Sequence, residues 1–252
     1  MTRGLAETRS RAQALLLAGR VDVEGIGPGG QARAGDLVDP GIVVAVAPGP
    51  TYVSRGGDKL AGALDAFLPL DPAVHPAGHI CLDVGASTGG FTDVLLRRGA
   101  TRVYALDVGR GQLAQALRAD PRVVVREGVN ARTLTGTTLA EPVSLATVDV
   151  SFISLEKVLG PIASTFDAAA AGRIVALVKP QFEAGRSEAR RGVVRDAAVH
   201  RRVLDRVREH AAALGLIVRA EVESPLIGPA GNREFFLDLE VSPRSRRHSD
   251  PA

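Results

Sequence analysis

Only three of the 31 basic residues in this chain are lysines, Lys59, Lys157 and Lys179; every other cation is an arginine. Arginine keeps its proton in any protein environment, whereas a lysine that is desolvated or set beside another cation can surrender one and act as a base. The remaining lysines are therefore candidates for proton transfer, a chance scatter of three lysines being the competing reading of the composition alone. Lys179 closes one apolar run, Leu177-Val178-Lys179-Pro180, and Asp149 closes another, Val148-Asp149-Val150-Ser151-Phe152. A cation and a carboxylate so placed can form an ion pair that caps a sheet or a pair that handles protons, and their spacing alone leaves both readings open.

The second chemical feature is Asp83-Val84-Gly85-Ala86-Ser87-Thr88-Gly89-Gly90-Phe91, which joins an apolar strand candidate to a helical pattern. Such a turn presents backbone N–H groups and allows a ligand to approach closely. Three classes of chemistry compete for it. A dinucleotide site carries Gly-x-Gly-x-x-Gly, and the glycine spacing here differs. Gly85-x-Ser87-x-Gly89 also satisfies the nucleophile elbow of hydrolases, but the later histidines are poorly placed: His200 and His210 fall in a predicted helix and His248 in the tail. An adenosyl sulfonium ligand fits best. Asp83 and the turn would hold its methionine end, and Asp107, which ends Val103-Tyr104-Ala105-Leu106-Asp107, would accept hydrogen bonds from its ribose. The competing reading of Asp107 alone is a helix cap.

These residues need a frame that gathers them at one edge. From His79 onward, apolar runs at 79–84, 102–107, 122–126, 143–149 and 173–179 alternate with helical patterns, which predicts a parallel sheet covered on both faces. A helix is predicted over 196–214, followed by strands over 216–223 and 234–241 that form an antiparallel finishing hairpin. Ligands of open α/β sheets sit at the carboxyl ends of the strands, where Asp83, Asp107, Asp149 and Lys179 would meet. The first fifty residues read as a separate α+β module. A helix from Ser10 to Ala18 has a capping box of Ser10 and Gln13 and ends at Gly19; strands follow at 21–23 and 42–46, with turns at Gly25–Gly30 and Gly35-Asp36. The stretch Ala47-Pro48-Gly49-Pro50 suits neither helix nor sheet. The expected boundaries are 1–47 for the small domain, 48–54 for a linker, 55–242 for the large domain and 243–252 for a disordered basic tail.

Taken together, Ser54-Arg55-Gly56-Gly57-Asp58-Lys59-Leu60, the Asp83–Phe91 turn, Asp149-Val150-Ser151-Phe152, Val178-Lys179-Pro180-Gln181-Phe182-Glu183 and Gly231-Asn232-Arg233-Glu234-Phe235 resemble the FtsJ/RrmJ-type ribose methyltransferases, and within them the TlyA or haemolysin A-like group. The resemblance covers nearly the whole chain. It implies a Rossmann-like sheet, mostly parallel with an antiparallel final strand, binding S-adenosylmethionine and methylating a ribose 2'-hydroxyl of ribosomal RNA, at cytidine. The family's Lys-Asp-Lys-Glu tetrad carries over onto Lys59, Asp149, Lys179 and Glu234. Cofactor contacts are implied for Asp83, Gly85, Ser87, Gly89, Gly90, Phe91, Asp107, Asn130 and Asp149. Attack on a sulfonium methyl needs an oxygen nucleophile losing its proton and close placement of both reactants. Lys179 is the expected base, with Lys59 and the exclusion of water easing loss of its proton. Asp149 would orient Lys179, and Glu234 would position Lys59 or the ribose.

The first fifty residues resemble the S-four-type RNA-binding domain through Gly4–Ala12 and the Gly35-Asp36 turn, which implies phosphate contacts for Arg9, Arg11 and Arg20. The helical segment that opens that family is absent before Gly4, so residues 1–50 alone are expected to bind RNA weakly. Composition narrows the remaining classes. No run of eighteen apolar residues could span a bilayer, the N-terminus has no signal-peptide pattern, and the single Cys81 sits in an apolar run as a buried, inert thiol. A cytoplasmic enzyme without a metal site or membrane partner is expected. Eight arginines between Arg186 and Arg208 form a basic zone, either a solvated face or a surface for an anionic partner. A membrane-damaging haemolysin and a non-catalytic RNA-binding assembly protein are the rival readings.

Overall fold

The computed structural model describes residues 3–17, 21–24, 35, 37–39, 41–46, 51–185, 188–189, 192–228 and 231–243. Arg20, Gly19, the Gly25–Gly30 turn, Asp36, the stretch 47–50 and residues 244–252 of the expected tail lie outside the described residues. The chain divides into two compact units, 1–51 and 52–252.

In the first unit, helix α1 (Arg9–Leu17) precedes two short antiparallel strands, β1 (Val21–Val23) and β2 (Val44–Val46). The helix cap differs from expectation. The hydroxyl of Thr8, not Ser10, accepts the backbone N–H of Arg11 at 3.1 Å, so the helix starts earlier and Ser10 lies in its first turn. Arg9 and Arg11 are exposed, whereas Leu15 is buried.

The second unit is an α/β sheet. Its elements run α2 (Arg55–Phe67), β3 (Ile80–Val84), α3 (Gly90–Arg97), β4 (Arg102–Asp107), α4 (Gln115–Arg118), β5 (Val123–Glu127), β6 (Leu145–Val148), α5 (Leu159–Ala163), β7 (Gly172–Val178), α6 (Pro180–Glu183), α7 (Ala197–Ala213), β8 (Leu216–Glu223) and β9 (Phe235–Val241). The strand order is β5-β4-β3-β6-β7-β9-β8; the first five strands are parallel, and β9 runs antiparallel to both of its neighbours. The finishing hairpin is present, with β9 inserted between β7 and β8. Between β5 and β6 the expected helix is only a 3-10 turn, Ala131–Thr133, and the β4–β5 connection holds a single helical turn.

Strand alternation sends Leu82, Val84, Ala146, Val148, Ile174 and Ala176 to one core, with α5 and α7, and Cys81, Leu145, Val175, Leu177 and Phe236 to another, with α2 and α3. Every residue of β6 and β7 is buried, as near-continuous apolar strands of a two-sided sheet require. Helix α2 had no place among the predicted elements, although Leu60, Leu64 and Phe67 fall on one helical face and are buried. Burial also holds the Cys81 thiol well above its usual range, in keeping with an inert role.

At the amino end of β7, Arg173 meets Asp71 at 2.6 Å, Glu240 at 3.2 Å and the fully buried Asp238 at 3.9 Å. Burial pushes the Asp238 carboxyl up to about 6, partly opposed by Arg173. The folded state therefore holds this proton more tightly than the unfolded chain, so the group's contribution is greatest below about pH 4 and is lost as pH rises through about 6. Asp238→Asn is expected to abolish that slope and to raise stability at pH 7.5 by about 2 kcal/mol. Urea unfolding of both proteins across this range checks it; a lower midpoint for the variant at pH 7.5 would show that Arg173 needs the charge.

Candidate active site

The order of strands reverses beside β3. From it the chain moves outward through β4 and β5, then crosses back to β6 on the other side, which opens a crevice at the carboxyl ends of β3 and β6. The glycine turn fills this point. Gly85 has φ +85°, and a Cβ there would lie 2.4 Å from the carbonyl oxygen of Asp149, so only glycine lets the two strand ends approach. Gly90 opens α3 against the start of α2, where a Cβ would meet the Ser54 hydroxyl. Ser87 takes a left-handed conformation, φ 48°, and its N–H donates to Asp107 Oδ2 at 2.8 Å. The other Asp107 oxygen accepts the Gly109 N–H at 2.6 Å, so Asp107 ties β4 to the turn and caps no helix.

Two cavities adjoin here. One, of about 720 Å³, is lined by Gly85, Ser87, Asp107, Gln112, Asn130, Asp149, Phe152 and Lys157 among others. The second, of about 490 Å³, shares Gly85, Ser87 and Asp149 and is lined also by Arg55, Lys59, Gly90, Phe91, Lys179 and Ile227. Five of the expected cofactor residues, Gly85, Ser87, Asp107, Asn130 and Asp149, thus line the larger cavity. Gly90 and Phe91 belong to the smaller one, and Phe91 also packs on Phe236 with ring centroids 6.1 Å apart. Asp83 and Gly89 line neither.

The position of Asp83 corrects the expectation that it faces the crevice. The turn begins only at Gly85, so Asp83 is still within β3 and its carboxyl points into the core, fully buried. It accepts from the hydroxyls of Thr92 at 2.7 Å and Thr147 at 3.3 Å, and burial raises it to about 7. Its local task is to fasten β3 to α3 and β6.

The tetrad residues come together as two ion pairs: Lys59, Asp149 and Lys179 line the smaller cavity, while Glu234 lies buried behind Lys59 and lines neither. Lys59, carried by α2, meets Glu234 at 2.5 Å, with no side-chain surface of Glu234 exposed. Lys179, at the end of β7, meets Asp149 Oδ1 at 2.5 Å and donates to Ser151 Oγ at 3.0 Å. The charge of Lys59 is therefore offset by its own carboxylate, which weakens the influence expected of it on the Lys179 proton. Glu234 is gripped on both oxygens, because Gln181 Nε2 donates to Oε1 at 3.2 Å. Ser151 and Gln181 were quoted in the motifs without a role. Their spacing from Asp149 and Lys179, two residues in each case, was the available signal, since Pro180 turns the chain so that 179 and 181 both reach this region.

Phe152 stands at the rim with φ 63° and 90 % exposure, its ring 4.9 Å from that of Phe182. Asn130 caps the 3-10 turn through the Arg132 N–H. Among the described residues the hydrolase reading finds no base: His200 is buried against Phe235 and the Val194 carbonyl, and His210 lies in α7, neither lining a cavity with Ser87, while His248 lies outside the described residues. Arg186, Arg190 and Arg191 of the basic zone lie outside the described residues; of its other five arginines, three are internally paired, Arg202 with Glu188, Arg206 with Glu156, and Arg208 with Asp205. No helix among the described residues is long and apolar enough to cross a membrane.

The glycine turn at the strand-order reversal, the acidic end of β4 and a cavity of this size fit an adenosyl sulfonium compound. Comparison with known proteins agrees. The chain is 45% identical over 240 residues to the 16S/23S rRNA (cytidine-2'-O)-methyltransferase TlyA of Mycobacterium tuberculosis, covering 95% of this chain and 87% of that protein. It is 37% identical to Hemolysin A of Brachyspira hyodysenteriae, covering 94% and 96% of the two. A solved structure of a hemolysin-named protein from Streptococcus thermophilus superposes with a TM-score of 0.74 at 39% identity, covering 98% of this chain and 89% of that one. The FtsJ-like methyltransferase family matches residues 52–240, the unit that holds both cavities and all four charged residues, and the chain belongs to that family.

Proposed function

We propose that the protein transfers a methyl group from S-adenosylmethionine to the 2'-hydroxyl of a ribose in ribosomal RNA, at cytidine, within the cytoplasm. The observation that carries this reading is the placement of two carboxylate-paired lysines, Lys59 and Lys179, on a cavity sharing its wall with the glycine turn. When bound, S-adenosylmethionine supplies an electrophilic methyl group. The chain's own task is to place a ribose hydroxyl and take its proton. Lys179 Nζ, in its amine form, accepts that proton; Asp149 and Ser151 hold the amine in line and Asp149 balances the ammonium that results. Lys59, locked by Glu234, which Gln181 holds in turn, offers a fixed donor to the sugar.

The first unit would supply sequence-independent grip through Arg9, Arg11 and Arg20. Arg9→Ala with Arg11→Ala is expected to weaken RNA binding at low salt and to reduce the dependence of log affinity on log salt by about two contacts' worth, measured by titration at several ionic strengths. An unchanged slope would remove both arginines from the interface.

The reading as a whole is tested by transfer of labelled methyl from S-adenosylmethionine to isolated ribosomal subunits, with modified positions located by resistance to alkaline cleavage, which a 2'-O-methyl group blocks. Discrete resistant positions support it. Cofactor binding without label on any ribosomal RNA would favour a non-catalytic assembly protein.

A further inference from the structure

We propose that Glu183 is a positioning residue for the Lys179–Asp149 pair, clamping the segment after β6 to the segment after β7 with help from Arg206. The inference rests on the role given above to that pair.

The segment after β6 carries Asp149, Ser151 and Phe152 and ends in the turn at Ser154 and Leu155. Lys179 holds its beginning, through Asp149 and Ser151. Glu183, the last residue of α6, holds its end: Oε2 accepts from the Ser154 hydroxyl at 2.6 Å and Oε1 from the Leu155 N–H at 2.8 Å. Residues 149–155 are thus tied at both ends to residues 179–183. Arg206, reaching over from α7, joins the same two segments, with Nε 2.8 Å from Glu156 and Nη2 3.6 Å from Glu183 Oε2 while also donating to the Glu183 carbonyl.

A carboxylate in this place needs a reason. Glu183 is 5 % exposed and lines neither cavity, and burying an acid is unfavourable unless its hydrogen bonds compensate. The segment it grips has something to resist. Phe152 occupies the left-handed region, where a bulky L-residue is strained, and its ring is almost wholly exposed, so burial of the ring does not hold it there. The two bonds from Glu183, one to a backbone N–H three residues beyond Phe152, oppose relaxation of that strain. With them in place, Asp149 and Ser151 stay at the distance from Lys179 that proton transfer requires.

The test compares Glu183→Ala, Glu183→Gln and Ser154→Ala in the full chain. Glu183→Ala is expected to lower kcat on ribosomal RNA on the order of 100-fold, as a misplacement near 1 Å does, with the fraction of folded protein unchanged. Glu183→Gln keeps an oxygen for Leu155 and an amide facing the Ser154 hydroxyl, and should restore most of the rate. Ser154→Ala removes one bond and should lose about tenfold. Hydrogen–deuterium exchange supplies a readout independent of activity: peptides spanning 150–157 should lose protection in Glu183→Ala and keep it in Glu183→Gln, with β6 and β7 unaltered. Equal kcat for the parent and the alanine variant, or unchanged exchange over 150–157, overturns the clamp. An inactive parent overturns the proposed function instead, and the exchange result then decides the clamp alone.

Discussion

Lys179→Ala is expected to lower methyl transfer to ribosomal RNA by about three orders of magnitude, the scale of a lost general base, while S-adenosylmethionine still binds. The separation follows from the two cavities. Lys179 lines only the smaller one; the larger shares Asp149 and Ser151 with the lysine, but its other walls, Gly85, Ser87, Asp107 and Asn130 among them, make no bond to it. Lys179→Arg is the sharper variant, since it keeps a cation beside Asp149 but cannot offer a free amine. If Lys179 acts as a base, the arginine variant should be as inactive as the alanine variant; if it acts only as a charge, arginine should preserve much of the rate. Single-turnover transfer, together with calorimetric titration of the cofactor, measures both quantities. Undiminished turnover in Lys179→Ala would sink the assignment.

Lys59→Met is expected to destabilise the protein by about 3–5 kcal/mol, because it strands a buried carboxylate. Glu234 exposes no side-chain surface and, among the described residues, its carboxylate receives only Gln181 besides the lysine. For a unit of this size the melting temperature should fall on the order of 10 °C. Adding Glu234→Gln removes the stranded charge and should recover most of that loss, yet the double variant should remain inactive. Thermal denaturation paired with the transfer assay therefore distinguishes folding from chemistry. A loss below about 1 kcal/mol for Lys59→Met would mean that water reaches Glu234 and that the pair behaves as a surface ion pair.

Much of this arrangement is legible from the chain, for identifiable reasons. The strands of the buried sheet announce themselves as apolar runs, and Arg102–Asp107 and Leu216–Glu223 match their predicted limits. The glycine turn is legible because positive φ and a backbone contact leave glycine few substitutes at Gly85. The tetrad came through family resemblance; no periodicity could pair Lys59 with Glu234. What escapes the sequence is direction. Asp83 ends an apolar run as Asp107 does, but it lies before the turn and faces inward, whereas Asp107 is the last residue of its strand. Helix α2 was overlooked because its glycines and its charged start obscure the apolar face of Leu60, Leu64 and Phe67. Thr8 displaced Ser10 as cap although only Ser10 has a glutamine three residues on, because a cap needs no more than a hydroxyl that reaches an N–H two or three residues along. Glu183 and Gln181 act on partners far along the chain, and those contacts belong to tertiary structure.

The insertion of β9 between β7 and β8 has a consequence for how the protein is made. Lys59 and Glu234 are 175 positions apart, and Glu234 directly precedes β9. As the chain leaves the ribosome, β3 to β7 can align in turn, and the Lys179–Asp149 pair can already close. Yet β7 keeps a bare edge until the following helix, β8 and finally β9 have emerged. A product cut short before that point would carry the glycine turn and half of the charged centre, with an unpaired hydrophobic strand open to neighbouring chains. Competence for methyl transfer therefore arrives only once β9 has emerged, in the same step that seals the edge most prone to aggregation.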